Sequence, residues 1–372
     1  MSITIICVVV CVIFISIQFV SLVGIFIPQK SEERPKELPK VSLLLAARNE
    51  EKLIQRSLKS IHHLNYPLDK LEVLIGNDNS TDRTAEIVEQ FIADKPNFTL
   101  HHIKKNLGKG RGKANVLAHL AHKASGEFFF ITDVDVALPQ NWIQSLLSEF
   151  TEEVGIVSGT STCQAKSSWF SKMQSIDWLH FMGYIQSFAN LGVSCTSVGN
   201  NMAVRAKAYW DTGGYEEIEF SITEDYKLFE AVSNKGWDWR TQWSSDSLGL
   251  ATSIDSIGEM LHQRKRWLIG AADLPLNWKL MLVLYGLFVP ALIVMATQNL
   301  ELALMVWSLK ALLQVFYIQS LHNLIRLKPQ SLLYLIVYEF YVLLNTLATA
   351  VFYFLPIQNV WKGRVYKHND LI

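Results

Sequence analysis

The sequence predicts an α/β domain, a mostly parallel sheet with helices on both faces, carried between apolar segments long enough to cross a membrane. Three observations lead there. Short apolar runs rich in strand formers alternate, from Val41 to about Asn141, with helically spaced apolar positions. The loops after those runs are unusually polar, as in Asn77-Asp78-Asn79-Ser80-Thr81-Asp82. Apolar stretches poor in charge stand at both ends. Of 372 residues, 50% are hydrophobic and 18% charged, against roughly 25% charged in ordinary soluble domains. The 34 basic and 34 acidic side chains cancel. The basic excess with which a nucleic-acid binder replaces phosphate counterions is therefore missing, and no nucleic-acid partner is expected.

Ile3 to Ile27 holds no formal charge and exceeds the roughly 20 helical residues that cross a 30 Å hydrocarbon layer. A cleaved signal peptide would need a basic leading segment, a shorter apolar stretch and a small-x-small cleavage site. None is evident, so a permanent anchor over residues 1–28 is expected. The first basic residues after it, Lys30, Arg34, Lys36 and Lys40, place the middle of the chain in the cytoplasm by the positive-inside rule. Residues 29–40, bracketed by Pro28 and Pro39, read as a juxtamembrane linker.

Val41–Ala47 is a strand by composition, followed by polar Arg48-Asn49-Glu50-Glu51 and then by helically spaced Leu53, Ile54, Leu58 and Ile61. The pattern recurs with Leu71–Ile75 and a helix from Asp82, Thr99–Ile103 and a helix from Lys113, and Glu127–Thr132 and a helix near Asn141. Ligands in such sheets bind beyond the strand carboxyl ends, so chemistry is expected in these loops. In the loop after the second strand, Ser80 or Thr81 can cap the next helix and leave Asp78 to a ligand, although capping alone would explain these residue types.

Asp133-Val134-Asp135 comes after the fourth strand, and i, i+2 spacing in extended chain turns both carboxylates to one side, as a hard divalent cation requires. Gly108 to Lys113 lacks the P-loop spacing, and Ala114 stands where Ser or Thr is needed. It is either a loop whose Lys109 or Lys113 approaches a diphosphate or an exposed basic loop. His119 and His122, one helical turn apart, are expected on a solvated helix face, because no further metal ligands accompany them. Cys7, Cys11, Cys163 and Cys195 show no paired spacing and are expected to be reduced and buried. Trp169, Phe170, Trp178, Phe181 and Tyr184 suit one face of a helix, with core packing as the default.

Leu280–Thr297, Leu302–Leu321 and Leu332–Pro356 are three further apolar stretches, and Lys310 and Glu339 inside two of them either pair with each other or snorkel to the interface. Three complete spans would put the basic tail Lys362, Arg364, Lys367 outside, against the rule that set the N-terminus. One stretch is therefore re-entrant or interfacial. The expected organisation is an anchor over 1–28, a linker over 29–40, a catalytic domain over 41–279, a membrane region over 280–357 and a basic tail over 358–372.

Taken with Thr223-Glu224-Asp225 and Gln263-Arg264-Lys265-Arg266-Trp267, the ordered series Asp78, Asp133-x-Asp135, Asp225, Q-x-x-R-W resembles glycosyltransferase family 2, of the GT-A nucleotide-diphospho-sugar transferase fold. The resemblance covers about residues 41–270 and the flanking spans, and is to membrane-embedded members such as hyaluronan synthase, cellulose synthase and ceramide glucosyltransferase. It implies that Glu50 and Asp78 contact the nucleoside, that Lys113 lies near the donor, and that Asp133 and Asp135 hold Mg²⁺ or Mn²⁺. It implies further that Asp225 is the general base, that Gln263, Arg266 and Trp267 border the acceptor and leaving diphosphate, and that Asn200 lines the sugar pocket. Trp361-Lys362-Gly363-Arg364 resembles the ending of ceramide glucosyltransferase-like proteins, which favours a cytoplasmic tail.

Elementary chemistry agrees with these roles. A departing nucleoside diphosphate builds charge that a divalent cation and a guanidinium stabilise, and an acceptor hydroxyl needs a positioned base. Trp267 offers an apolar face for sugar or lipid, or anchors the interface. The expected function is a multi-pass, membrane-bound, inverting glycosyltransferase that moves a sugar from a nucleotide-sugar donor to a lipid or lipid-linked acceptor, with the catalytic domain cytoplasmic; in a bacterium the membrane would be the cell inner membrane. A processive polysaccharide synthase with a saccharide acceptor is the alternative. A non-catalytic nucleotide-sugar-binding membrane protein comes third, since a sensor has no need of a base.

Overall fold

The computed structural model describes residues 3–28, 37–194, 196–361 and 364–366. Most of the 29–40 linker, Cys195, and Lys362, Gly363 and Lys367 of the tail lie outside the described residues, as do the side chains of Trp361 and Arg364. Two compact units result: one from residues 30–164 and 196–252 together with the tail, the other from residues 1–29, 165–195 and 253–359.

The first unit carries the sheet. Strands β1 (Val41–Ala47), β2 (Leu71–Asn77), β3 (Phe98–His102) and β4 (Phe128–Asp133) alternate with helices α2 (Ile54–His62), α3 (Thr84–Ile92) and α4 (Gly112–Ala121). β5 (Val136–Ala137), α5 (Trp142–Leu147), β6 (Val154–Ser158) and β7 (Ser161–Gln164) come next. β8 (Asn201–Arg205), α7 (Ala206–Asp211), α8 (Glu224–Asn234), β9 (Asp238–Thr241) and β10 (Gly249–Thr252) complete it.

The main sheet has the order β3-β2-β1-β4-β8-β6-β9, with β8 antiparallel to both neighbours. β1 runs parallel to β2 and β4, with Ala46 opposite both Gly76 and Asp133, so the loops after these strands emerge from one edge. Near-continuous apolar strands are what a sheet buried on both faces requires. Val41, Leu43 and Leu45 of β1 are fully buried in one core with Ile54, Leu58 and Ile61 of α2, at roughly 1.5–3 kcal/mol per large side chain. A second sheet, β5-β10-β7, begins immediately after the Asp133-Val134-Asp135 triplet in the chain.

The other unit contains α1 (Ile3–Gly24), α6 (Trp169–Asn190), α9 (Ile257–Gly270), α10 (Leu276–Gln298), α11 (Leu300–Leu324) and α12 (Leu332–Phe354). Residues 165–195 and 253–279, which the boundary 41–279 counted with the catalytic domain, thus pack with the apolar helices. α1, α10, α11 and α12 are long and apolar enough to cross a membrane. Phe14 stacks on Phe288 at 4.4 Å between ring centres, in a cluster that joins α1 to α10 and α11. Lys310 and Glu339 do pair, Nζ to Oε2 at 2.6 Å, and Gln314 donates to the other carboxylate oxygen at 2.5 Å. Cys7, Cys11 and Cys163 are buried and unbridged.

Candidate active site

The loops after β1 and β2 are knitted together backbone to side chain. Asn49 N–H donates to Ser80 Oγ at 3.1 Å, Thr81 N–H to Asn49 Oδ1 at 2.9 Å, and Glu50 N–H to Thr84 Oγ1 at 2.7 Å. Neither Ser80 nor Thr81 caps α3, contrary to expectation. The cap position is Arg83, which makes no side-chain cap bond, and Asp82 just before it accepts from Thr84 N–H at 3.0 Å and Thr84 Oγ1 at 2.5 Å. The two expected cap residues are spent on holding Asn49, which sits in the left-handed region at φ 52°. Asp78 is buried, its backbone carbonyl accepts from Arg48 Nη1 at 2.7 Å, and its carboxylate lies 3.8 Å from that guanidinium. Glu50 is likewise buried.

Lys113, in the first turn of α4, is the hub. Its Nζ lies 2.6 Å from Asp133 Oδ1, 3.1 Å from Glu224 Oε1 and 3.0 Å from the carbonyl of Gly199. Burial alone would lower the pKa of this ammonium, but Asp133 and Glu224, with Asp225 behind them, raise it above the ordinary lysine value. Lys109 instead pairs with exposed Glu219 at 2.6 Å. Of the two lysines in that loop, Lys113 is the one at the carboxylates.

Asp225 opens α8 beside Glu224. Its Oδ2 accepts from Gly199 N–H at 2.7 Å and its Oδ1 from Tyr226 N–H at 2.9 Å. Burial first, and the Glu224 carboxylate second, push its pKa up to about 6, against the opposing pull of Lys113 and the two backbone donors. A carboxylate that titrates at about 6 is mostly ionised at neutral pH yet more basic than an ordinary aspartate, as a general base requires.

Asp133 and Asp135 are both half-exposed while Val134 between them is buried, which is the alternation expected. Asp135 is held through its backbone: its carbonyl accepts from Thr252 N–H at 2.9 Å, Thr252 Oγ1 at 3.1 Å and Arg56 Nη1 at 3.1 Å. Arg56 also donates to Thr252 Oγ1 at 2.7 Å and to the Leu250 carbonyl at 2.9 Å, so one guanidinium ties α2 to β10 and to the triplet. Among the described residues no three His, Cys, Asp or Glu converge on one point. The two aspartates therefore offer a partial oxygen set, which suits a hard cation that completes its shell from phosphate and water. The Lys113 ammonium on Asp133 shows that the position already attracts positive charge.

Asn200 is buried, with its amide oxygen turned inward to Ser161 Oγ at 2.9 Å and its carbonyl bound by Thr132 Oγ1 at 2.9 Å. Asn201 is structural, accepting from Trp142 Nε1 at 2.7 Å. His119 and His122 are on the solvated side of α4, where they meet the Lys105 carbonyl and Glu216. Gln263, Arg266 and Trp267 are on α9, in the other unit. There Trp267 meets Trp178 edge-on at 5.2 Å and carries the Arg264 guanidinium over its ring at 4.5 Å, while Arg264 pairs with Asp177.

Within the sheet unit the structure brings together Lys113, Asp133 and Asp225 of the expected residues and adds Glu224 and Gly199 to them, while Arg48 is found at Asp78 and Arg56 at the Asp135 carbonyl. Glu224 was legible as a like-charged neighbour of Asp225. Arg56 left no signal, because a lone arginine on an amphipathic helix reads as surface.

The family model of Glycosyl transferase family 21 matches residues 3–370. The chain is 31% identical over 215 residues to the probable glycosyltransferase YdaM of Bacillus subtilis (strain 168), covering 57% of this chain and 50% of that one. It is 30% identical over 258 residues to a poly-beta-1,6-N-acetyl-D-glucosamine synthase of Staphylococcus epidermidis, covering 67% and 58%. The chain thus spans between half and three fifths of the length of these relatives. A mannosyltransferase of Pyrobaculum calidifontis, solved with GDP-Man and Mn²⁺, shares the fold at TM-score 0.61 and 18% identity over 95% of this chain and 99% of that one. The matched family is numbered 21, so the motif series that resembles family 2 marks a type of GT-A site and does not carry the finer label. The chain has a fold of the GT-A type and belongs to glycosyl transferase family 21.

Proposed function

We propose that the protein is a membrane-anchored, metal-dependent, inverting glycosyltransferase that moves a sugar from a nucleotide-sugar donor to a lipid or lipid-linked acceptor at the cytoplasmic membrane face. The observation that carries this is the Lys113-Asp133-Glu224-Asp225 cluster, in which one carboxylate is held by Gly199 N–H and titrates near neutrality beside a metal-suited pair. Asp225 takes the proton of the acceptor hydroxyl as its oxygen attacks the anomeric carbon and the bond to the diphosphate breaks. One displacement without an enzyme nucleophile inverts the anomeric centre.

Glu50 and Asp78 contact the nucleoside, and Asn200 borders the sugar pocket through its backbone, since its amide oxygen is engaged with Ser161. Asp133 and Asp135 would hold Mg²⁺ or Mn²⁺, which supplies charge neutralisation for the departing diphosphate. The P. calidifontis neighbour, solved with GDP-Man and Mn²⁺, supports a nucleotide donor and a divalent ion. Gln263, Arg266 and Trp267 border the acceptor and the leaving group.

A processive polysaccharide synthase is the second reading, favoured by the poly-beta-1,6-N-acetyl-D-glucosamine synthase relative. A non-catalytic sugar-nucleotide binder is disfavoured by family membership and by the placement of Asp225. Membranes bearing the protein, incubated with labelled UDP-, GDP- and other nucleotide sugars, decide between the first two. A single labelled lipid is expected, and a ladder of polymer would replace the first reading with the second.

A further inference from the structure

α12 is tied at its start to α6 and, from its middle to its end, to α9, the helix that carries Gln263, Arg266 and Trp267. At its start, Lys172 Nζ of α6 donates to Tyr334 Oη at 2.7 Å. That end of α6 is fastened to the residues leading into α9, by Lys166 Nζ to Asp255 Oδ1 at 2.7 Å, Ser171 Oγ to Ser253 Oγ at 3.0 Å and Gln174 Nε2 to the Ile254 carbonyl at 2.8 Å. In the middle, Tyr341 Oη meets Met260 Sδ at 3.4 Å, and farther on the Phe352 ring meets His262 at 5.1 Å. Just past its end, buried Lys265 of α9 donates to the carbonyls of Leu355 at 2.8 Å and Ile357 at 3.0 Å, and lies 3.4 Å from the Phe352 carbonyl in the last turn.

α9 cannot be immersed in hydrocarbon, because Glu259, His262, Arg264, Lys265 and Arg266 fall within its fourteen residues. It belongs at the interface. A helix of 23 residues is about 34 Å long at 1.5 Å per residue, so a perpendicular α12 would carry its start about 30 Å from the level of α9, whereas that start is tied through α6 to Ser253, Ile254 and Asp255, the residues leading into α9. Its surface agrees. Leu333, Ile336, Phe340, Leu344, Leu347 and Val351 recur at three- and four-residue spacing and are 47% to 67% exposed, while Tyr338, Glu339, Tyr341 and Thr349 on the opposite side are buried. The stripe gives α12 one continuous face for acyl chains, while its other side is packed within the protein.

We infer that α12 is not a fourth crossing but lies along α9 in the cytoplasmic leaflet, its Leu333-to-Val351 stripe seated among acyl chains. α1, α10 and α11 are then the three crossings, and everything after α12 stays on the side of α9. This removes the conflict over the tail, since Lys362, Arg364 and Lys367 fall on the same side as the basic residues after α1. The packed face of α12 meets α11 through Glu339, whose Oε2 takes the Lys310 ammonium at 2.6 Å.

The test uses the full chain in liposomes, with a nitroxide-bearing amino acid placed in turn at positions 333, 344 and 354 and depth read from oxygen against nickel-chelate accessibility. The inference expects all three at one shallow depth, about 5–10 Å below the headgroups. A label at 344 about 15 Å deeper than those at 333 and 354, as half of a 30 Å hydrocarbon layer requires of a span, would overturn it. A reporter fused after Ile372 checks the same claim without touching the helix. Activity only in the cytoplasm is expected, and an active extracytoplasmic phosphatase would overturn it.

Discussion

Gly199 donates its backbone N–H to Oδ2 of Asp225 at 2.7 Å, and a Cβ at position 199 would stand 2.9 Å from the Asp225 Cβ. The absence of a side chain at 199 is what lets the carboxylate sit there. In Gly199→Ala the carboxylate must shift, and displacement by about 1 Å costs on the order of 10²-fold in rate. Steady-state kinetics should show kcat falling by that order while donor KM stays within about threefold.

Glu224 is the second cause, after burial, of the raised pKa of Asp225. A base must be ionised to act, so kcat/KM, which reports the free enzyme, should rise with pH through about 6. In Glu224→Gln the like charge is gone, Asp225 ionises more readily, and the acid limb should move to lower pH. A limb that stayed in place would mean that another group sets it.

Lys113 neutralises Asp133 and Glu224 at once. Lys113→Met leaves both carboxylates without their cation and should cost about 1–3 kcal/mol of stability, the penalty for stranding a partly buried polar group. Adding Glu224→Gln should recover part of that loss. Urea melts of the wild type, both single variants and the double variant give the comparison, and strictly additive losses would deny the coupling.

Arg56 Nη1 donates to the Asp135 backbone carbonyl at 3.1 Å, so its effect should be on positioning. If Asp135 holds the metal, Arg56→Met should weaken Mn²⁺ binding by about 10-fold, the scale for a supporting partner, with Arg56→Lys retaining more affinity. Binding followed by paramagnetic resonance is the readout, with Asp135→Ala as reference. Loss in Asp135→Ala but not in Arg56→Met would spare the metal role and remove the arginine's.

The parts legible in the sequence are those fixed by local pattern. β1 occupies Val41–Ala47 as expected, because an uninterrupted apolar run before a polar loop has few other solutions. The DxD triplet falls at the end of β4 because its carboxylates terminate the apolar run. Illegible were contacts between residues far apart in sequence. Ser80 and Thr81 looked like caps because their competing partner, Asn49, comes from another loop 31 and 32 residues away. Arg56 reaches residues 79 and 196 positions on, which no helical pattern records. The antiparallel insertion of β8 next to β4 was likewise invisible in a run of parallel units, since a strand's direction is set by the connection and not by its composition.

The central claim is that Asp225 removes the acceptor proton in a sugar transfer. Asp225→Asn keeps the shape and an oxygen for Gly199 N–H while removing the basicity. Transfer from labelled nucleotide sugar, measured beside nucleotide binding on the same preparation, should fall by about 10²–10⁴ with binding largely kept. Full transfer activity in Asp225→Asn would contradict the account.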